Sequence, residues 1–129
     1  VGKMFDVTDD HRVILPESSL INCNFAVTAP LEIKKNSTIN GCVKAYKDLH
    51  VGEYSVITGD VFVEGDVRID RNCILLGSIF SQGRIYLGKG VRVSSPGGLK
   101  SVIGKKRIEL DRNVVIFGYL LTEGEGVTR

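Results

Sequence analysis

An 18-residue period runs through this chain and limits its fold more than any other feature does. Val13, Leu31, Leu49, Val67 and Ile85 stand 18 residues apart. Two residues on, Leu15, Ile33, Val51, Ile69 and Leu87 keep the spacing; eight on, Ile21, Ile39, Ile57, Leu75 and Val93 keep it again. Twelve on stand Phe25, Val43, Val61 and Ile79. A sixth copy begins at Ile108, with Leu110, Val114, Ile116 and Leu120 in the same slots. It arrives five residues late because the fifth copy carries an insertion. A fixed repeat of this length specifies a solenoid, in which each turn buries its apolar face against its neighbours.

Within each copy the apolar slots fall at offsets zero and two, six and eight, twelve and fourteen. That is three short alternating segments separated by corners, hence three strands per turn. No slot holds Asp, Glu, Lys or Arg, and the departures from apolarity are the small residues Ser19, Ser37, Ser55, Ser81, Gly104 and Thr122. An ionised side chain in so narrow a core would have no solvation, which explains the exclusion. Glycine recurs at offset ten (Gly41, Gly59, Gly77, Gly118) and at offset sixteen (Gly65, Gly83, Gly124), where a tight bend predicts positive φ. Asn36, Asn72, Asn113 and Gly90 share offset five, and Asn tolerates the left-handed region better than most residues. No window carries helical spacing with caps. The expectation is an all-β, three-sided parallel β-helix of about six turns over residues 13–127, preceded by a tail (1–12) and followed by a short end (128–129). Turns about 4.8 Å apart make a rod about 29 Å long. In the tail, Met4, Phe5 and Val7 offer a short apolar anchor.

Handedness bears on function, because left-handed hexapeptide-repeat enzymes also use 18-residue turns. One face fits their small-residue rule, as in Val51-Gly52 with Ser55 and Leu87-Gly88 with Val91. The other two place Phe25, Ile79, Leu31, Leu49 and Ile85 where that rule wants a small side chain. Overpacking of this kind costs about 1–3 kcal/mol per site, so right-handed turns are expected. The stretch from Leu49 to Val93 resembles a bactofilin core. The likeness rests on Val56-Ile57-Thr58-Gly59-Asp60-Val61, Glu64-Gly65-Asp66-Val67-Arg68-Ile69, Gly77-Ser78-Ile79 and Gly83-Arg84-Ile85-Tyr86-Leu87-Gly88. It implies a right-handed β-helix that polymerises end to end without a nucleotide, as a cytoskeletal scaffold in the cytoplasm or at a membrane. The insertion from Ser94 to Ser101 departs from that pattern.

Candidate chemistry is sparse. Seventeen Lys and Arg against fifteen Asp and Glu leave a charge of +2, which gives no electrostatic case for nucleic acid. No apolar run is long enough for a transmembrane helix, and no secretory signal is visible. Three Cys without metal-ligand spacing favour free thiols in a reducing cytoplasm. Cys73 falls in an inward slot; Cys23 and Cys42 lie on adjacent turns, near enough for a bridge yet expected free. Two histidines fall one short of a three-ligand zinc site. His50 is the one candidate general base for a transferase, but it reads as a surface residue between Glu32 and Arg68. The loop Ser94–Ser101, followed by Lys105, Lys106 and Arg107, lacks the phosphate-loop spacing and reads as a solvated bulge. No cofactor, metal or small-molecule substrate is expected, and no catalytic residue.

The surface carries more signal. Outward column thirteen reads Ala26, Lys44, Phe62, Phe80, Ile103, Leu121, so four successive turns present a large apolar residue on one face. A contiguous stripe of that kind marks a contact, either with a partner or with residues 1–12. The rod ends, with Val13 and Leu15 in the first turn and Phe117, Tyr119, Leu120 and Leu121 in the last, are expected to be uncapped and to associate with further copies. The expected function is therefore a self-assembling filament or scaffold whose partner is itself, with membrane or other proteins reached through flanking segments. The alternatives are a hexapeptide-type acyltransferase and a β-helical binding module that does not polymerise.

Overall fold

The computed structural model describes residues 6–7, by their backbone alone, and residues 11–129. Three parallel sheets wind into one three-sided β-helix, and no helix occurs among the described residues. The first face stacks Val13–Leu15, Leu31–Ile33, Leu49–Val51, Val67–Ile69, Arg84–Leu87, Arg107–Leu110 and Glu125–Thr128. The second stacks the two-residue strands from Leu20–Ile21 to Val115–Ile116, and the third runs from Phe25–Val27 to Gly118–Thr122. Register follows the period: Val13 pairs Leu31, Leu31 pairs Leu49, Leu49 pairs Val67, and Val67 pairs Ile85. The five extra residues leave the corner between the second and third faces, where Ser95 and Gly98 form a small antiparallel bridge. The ladder then resumes in phase, with Ile79 opposite Val102.

Both ends differ from expectation. Asp6–Val7 is not a free tail: it runs antiparallel to the first turn, Asp6 opposite Ile14 and Val7 opposite Val13, and covers that strand's outer edge. Met4 and Phe5, and the side chain of Val7, lie outside the described residues. At the other end, Glu125–Thr128 starts a seventh turn on the first face. Arg129 belongs to the fold too, its N–H donating to Leu110 O (3.0 Å) and its guanidinium pairing with Glu109.

The inward slots are the core. Ile33, Ile39, Val43, Val51, Ile57, Val61, Ile69, Leu75, Ile79 and Leu87 are fully buried. The buried serines at offset six satisfy one another. Ser19 N–H donates to Ser37 Oγ and Ser37 N–H to Ser55 Oγ, each at 3.2 Å, while Ser37 Oγ donates to Lys34 O at 2.8 Å. Such closed ladders let a hydroxyl sit in an apolar core without an unpaired group.

The corners divide by cause. Offset five is left-handed throughout: Ser18, Asn36, Tyr54, Asn72 and Asn113 have φ of 58–61°, and Gly90 has 74°. The glycines at offset ten serve a different need. Gly41, Gly59 and Gly77 are not left-handed, but a Cβ on each would lie 2.3–2.5 Å from backbone atoms of the preceding turn. Their columns are glycine because turns touch there, and of the glycines at offsets ten and sixteen expected to have positive φ only Gly118 does (φ 158°); Gly65, Gly83 and Gly124 do not. Cys23 occupies the same slot in the first turn, with no earlier turn of the solenoid beneath it among the described residues.

Candidate functional site

The last turn opens the core to solvent. Offset twelve is filled in successive turns by Val43, Val61, Ile79 and Val102, each 0% exposed, and then by Leu120, which is 47% exposed. Leu120 pairs only backward, with Val102, so its strand Gly118–Thr122 is the outer edge of the third face. Around it, outward-pointing Phe117, Tyr119 and Leu121 are 60%, 64% and 59% exposed. These four, expected from the sequence in the last turn, gather on one end of the rod. The opposite end is built otherwise: Val13 and Leu15 are buried at 7% and 2% exposure, and the short strand Asp6–Val7 occupies their edge.

The apolar stripe runs straight up the third face. Ala26, Lys44, Phe62, Phe80, Ile103 and Leu121 are in register, each opposite the next. Phe62 and Phe80 stack with ring centroids 5.1 Å apart and planes 8° from parallel. Beside the stripe lies a shallow groove of about 530 Å³, rimmed by Lys44, Glu64, Gln82, Lys105 and Glu123. The strand Asp6–Val7 pairs on the first face and not on this one.

Asp70 Oδ2 accepts a hydrogen bond from His50 Nε2 (2.8 Å), and Arg68 reaches the other oxygen of that carboxylate at 3.3 Å. This is a surface polar cluster, with His50 between Glu32 and Arg68 as its column predicts. Cys73 is fully buried and burial pushes its thiol up to about 11, so it is no nucleophile near neutral pH. All three cysteines are free thiols. Among the described residues no three of His, Cys, Asp and Glu come together as a metal-holding group.

One polar cluster went unremarked in the sequence. Tyr86 Oη donates to Asp111 Oδ2 at 2.7 Å, and the Arg68 guanidinium lies 4.6 Å from the Tyr86 ring centre. That hydrogen bond raises the tyrosine's pKa and lowers the carboxyl's. The pairing of Arg68 over Tyr86 was legible, since both occupy offset one in adjacent turns; the reach to Asp111 depends on the next corner and was not. Comparison with family models, with curated proteins and with solved structures finds no match to this chain.

Proposed function

We propose that this β-helix is a self-assembling structural module, in the manner of a bactofilin, whose open last turn seats against another copy to build a filament or scaffold. The observation that carries the reading is Leu120: an inward core slot that every earlier middle turn buries completely is left half exposed. A further turn laid on Gly118–Thr122 would pair its free backbone edge and remove apolar surface from water, worth about 25 cal/mol per Å² of apolar area. The flanking Phe117, Tyr119 and Leu121 enlarge the apolar contact. Because this drive is largely non-ionic, assembly is expected to persist at ionic strengths that screen surface charges to a few Å.

Sedimentation of four proteins tests it. Wild type is expected to form large species across a salt series. Leu120→Arg and Phe117→Arg are expected to give shorter species, since an unpaired charge buried at a junction is costly. Thr58→Arg, outward on the second face in mid-rod, is expected to sediment as wild type. A wild-type chain that stays monomeric at high concentration removes the reading, and equal assembly by all four moves the contact away from this end.

A further inference from the structure

The third face carries charges that find no partner within their own rod. Several surface charges elsewhere are paired in place: Arg71 with Glu53 at 2.6 Å, Arg107 with Glu125 at 3.0 Å, Arg68 with Asp70 at 3.3 Å. Beside the apolar stripe, Glu64, Lys105 and Glu123 are exposed and make no ion pair among the described residues, while Lys44 makes only a cation–π contact with Tyr46. For Glu64 and Lys105 the reason is spacing. Glu64, Gln82, Lys105 and Glu123 each follow the strand residue of one turn (Val63, Ser81, Gly104, Thr122), and those residues are in register. Gln82 therefore separates Glu64 from Lys105 by two turns, about 9.6 Å, beyond ion-pair reach.

Read along the rod, this column runs Tyr46, Glu64, Gln82, Lys105, Glu123, while Lys44 stands in the stripe opposite Phe62. Reversal about Gln82 exchanges Glu64 and Lys105, which carry opposite charges. We propose that two rods pair side by side and antiparallel through this face, with a two-fold axis passing between the two copies of Phe80 and Gln82. Glu64 of each rod then meets Lys105 of the other, and Gln82 meets its own copy, an amide that both donates and accepts. In the stripe beneath, Phe80 meets Phe80 and Phe62 meets Ile103. Shifting the axis by one turn destroys the match, since centring on Phe62 sets Glu64 against Glu64 and centring on Ile103 sets Lys105 against Lys105. Like charges so placed select against those registers. The occupant the face fits is thus a second copy of this chain, and the pairing stands independently of end-to-end stacking.

The face is about 29 Å long and about 15 Å wide, a footprint of about 400 Å² per rod, smaller than the interfaces of stable dimers. The lateral contact is accordingly weak between single rods and gains from multivalency wherever rods are already joined.

Cross-linking at the axis tests it. In a Cys23→Ser, Cys42→Ser background, Gln82→Cys is expected to form a covalent dimer under mild oxidation or with a short bis-maleimide. Lys89→Cys, exposed in mid-rod at a different corner, is expected not to. Adding Glu64→Lys or Lys105→Glu to the Gln82→Cys chain opposes like charges twice, and each is expected to cut the dimer yield by about tenfold or more. Mixing those two variants, one carrying an affinity tag, restores both opposite-charge pairs and is expected to return a mixed dimer at near the parent yield. Circular dichroism confirms that each variant keeps its fold. Equal cross-linking at positions 82 and 89, charge variants that dimerise like the parent, or a mixture that fails to recover would each overturn the proposal. Stacked ends leave Gln82 two turns from the junction, so failure of the filament reading leaves this outcome unaffected.

Discussion

At the level of single residues, one amino-acid type answers two unlike demands here. Asn72 and Gly90 meet a left-handed backbone, while Gly59 meets the backbone of the turn beneath it, 2.5 Å from where a Cβ would sit. Gly59→Ala is expected to cost about 1–3 kcal/mol, because backbone on both sides cannot give way. Gly97→Ala, whose Cβ would have nothing nearer than 3.7 Å, is expected to be neutral, and urea unfolding of the pair separates the two. The sequence alone could not distinguish these causes, since glycine is chosen in both. Nor did it reveal Tyr54 as left-handed, where a bulky residue stands in the column of Asn36 and Asn72. Cys73 offers a second test. Its thiol stays protonated in the folded chain to about 11, against 9.0 ordinarily. Above pH 9 the unfolded chain therefore binds fewer protons than the folded one, so stability is level below pH 9 and falls as pH rises towards 11. The loss is expected to reach about 2 kcal/mol. Cys73→Ser, extending the ladder of Ser37 and Ser55, is expected to keep the fold and lose that part of the alkaline decline, as read by unfolding at pH 8 and 10.5.

At the level of strands and corners, the period placed nearly everything. Columns of Val, Ile and Leu named the inward slots, and the register found matches them from Val13 through Ile108. What escaped were elements without a repeat behind them. Asp6–Val7 is a two-residue strand whose pairing runs antiparallel, and no spacing announces it. Glu125–Thr128 brings Gly126 and Thr128 to slots otherwise filled by Ile108 and Leu110, so its polarity hid a seventh turn's first strand. The stripe Phe62, Phe80, Ile103, Leu121 was legible as a column, whereas the groove beside it required the turns to be stacked in space. The insertion gives the sharpest test at this scale. Deleting Ser95 to Leu99 restores the 18-residue period and closes a tight corner on Lys100, which already stands opposite Gly118 at offset ten. A side chain there meets the preceding turn's backbone, so the deletion alone is expected to lower Tm markedly. The deletion combined with Lys100→Gly is expected to melt within a few degrees of wild type.

At the level of the whole molecule, strands lie across the rod and their hydrogen bonds run along it, each turn held to the next by three ladders. The two ends are unequal: one carries an antiparallel strand on its first face, the other an open core slot at Leu120. Under the proposed stacking, growth is expected to begin at the Leu120 end, which labelling of that end in electron micrographs of short polymers would reveal. The same arrangement dictates how the rod answers force. Tension applied between its termini loads the ladders of the outermost turn first, and only when they part does the next turn bear the load. Extension is expected to proceed as a staircase, each step freeing 18 residues or about 60 Å of contour, and the turn with the insertion freeing 23 residues or about 75 Å. That one longer step would mark, in a single-molecule trace, where along the rod the rupture front has arrived.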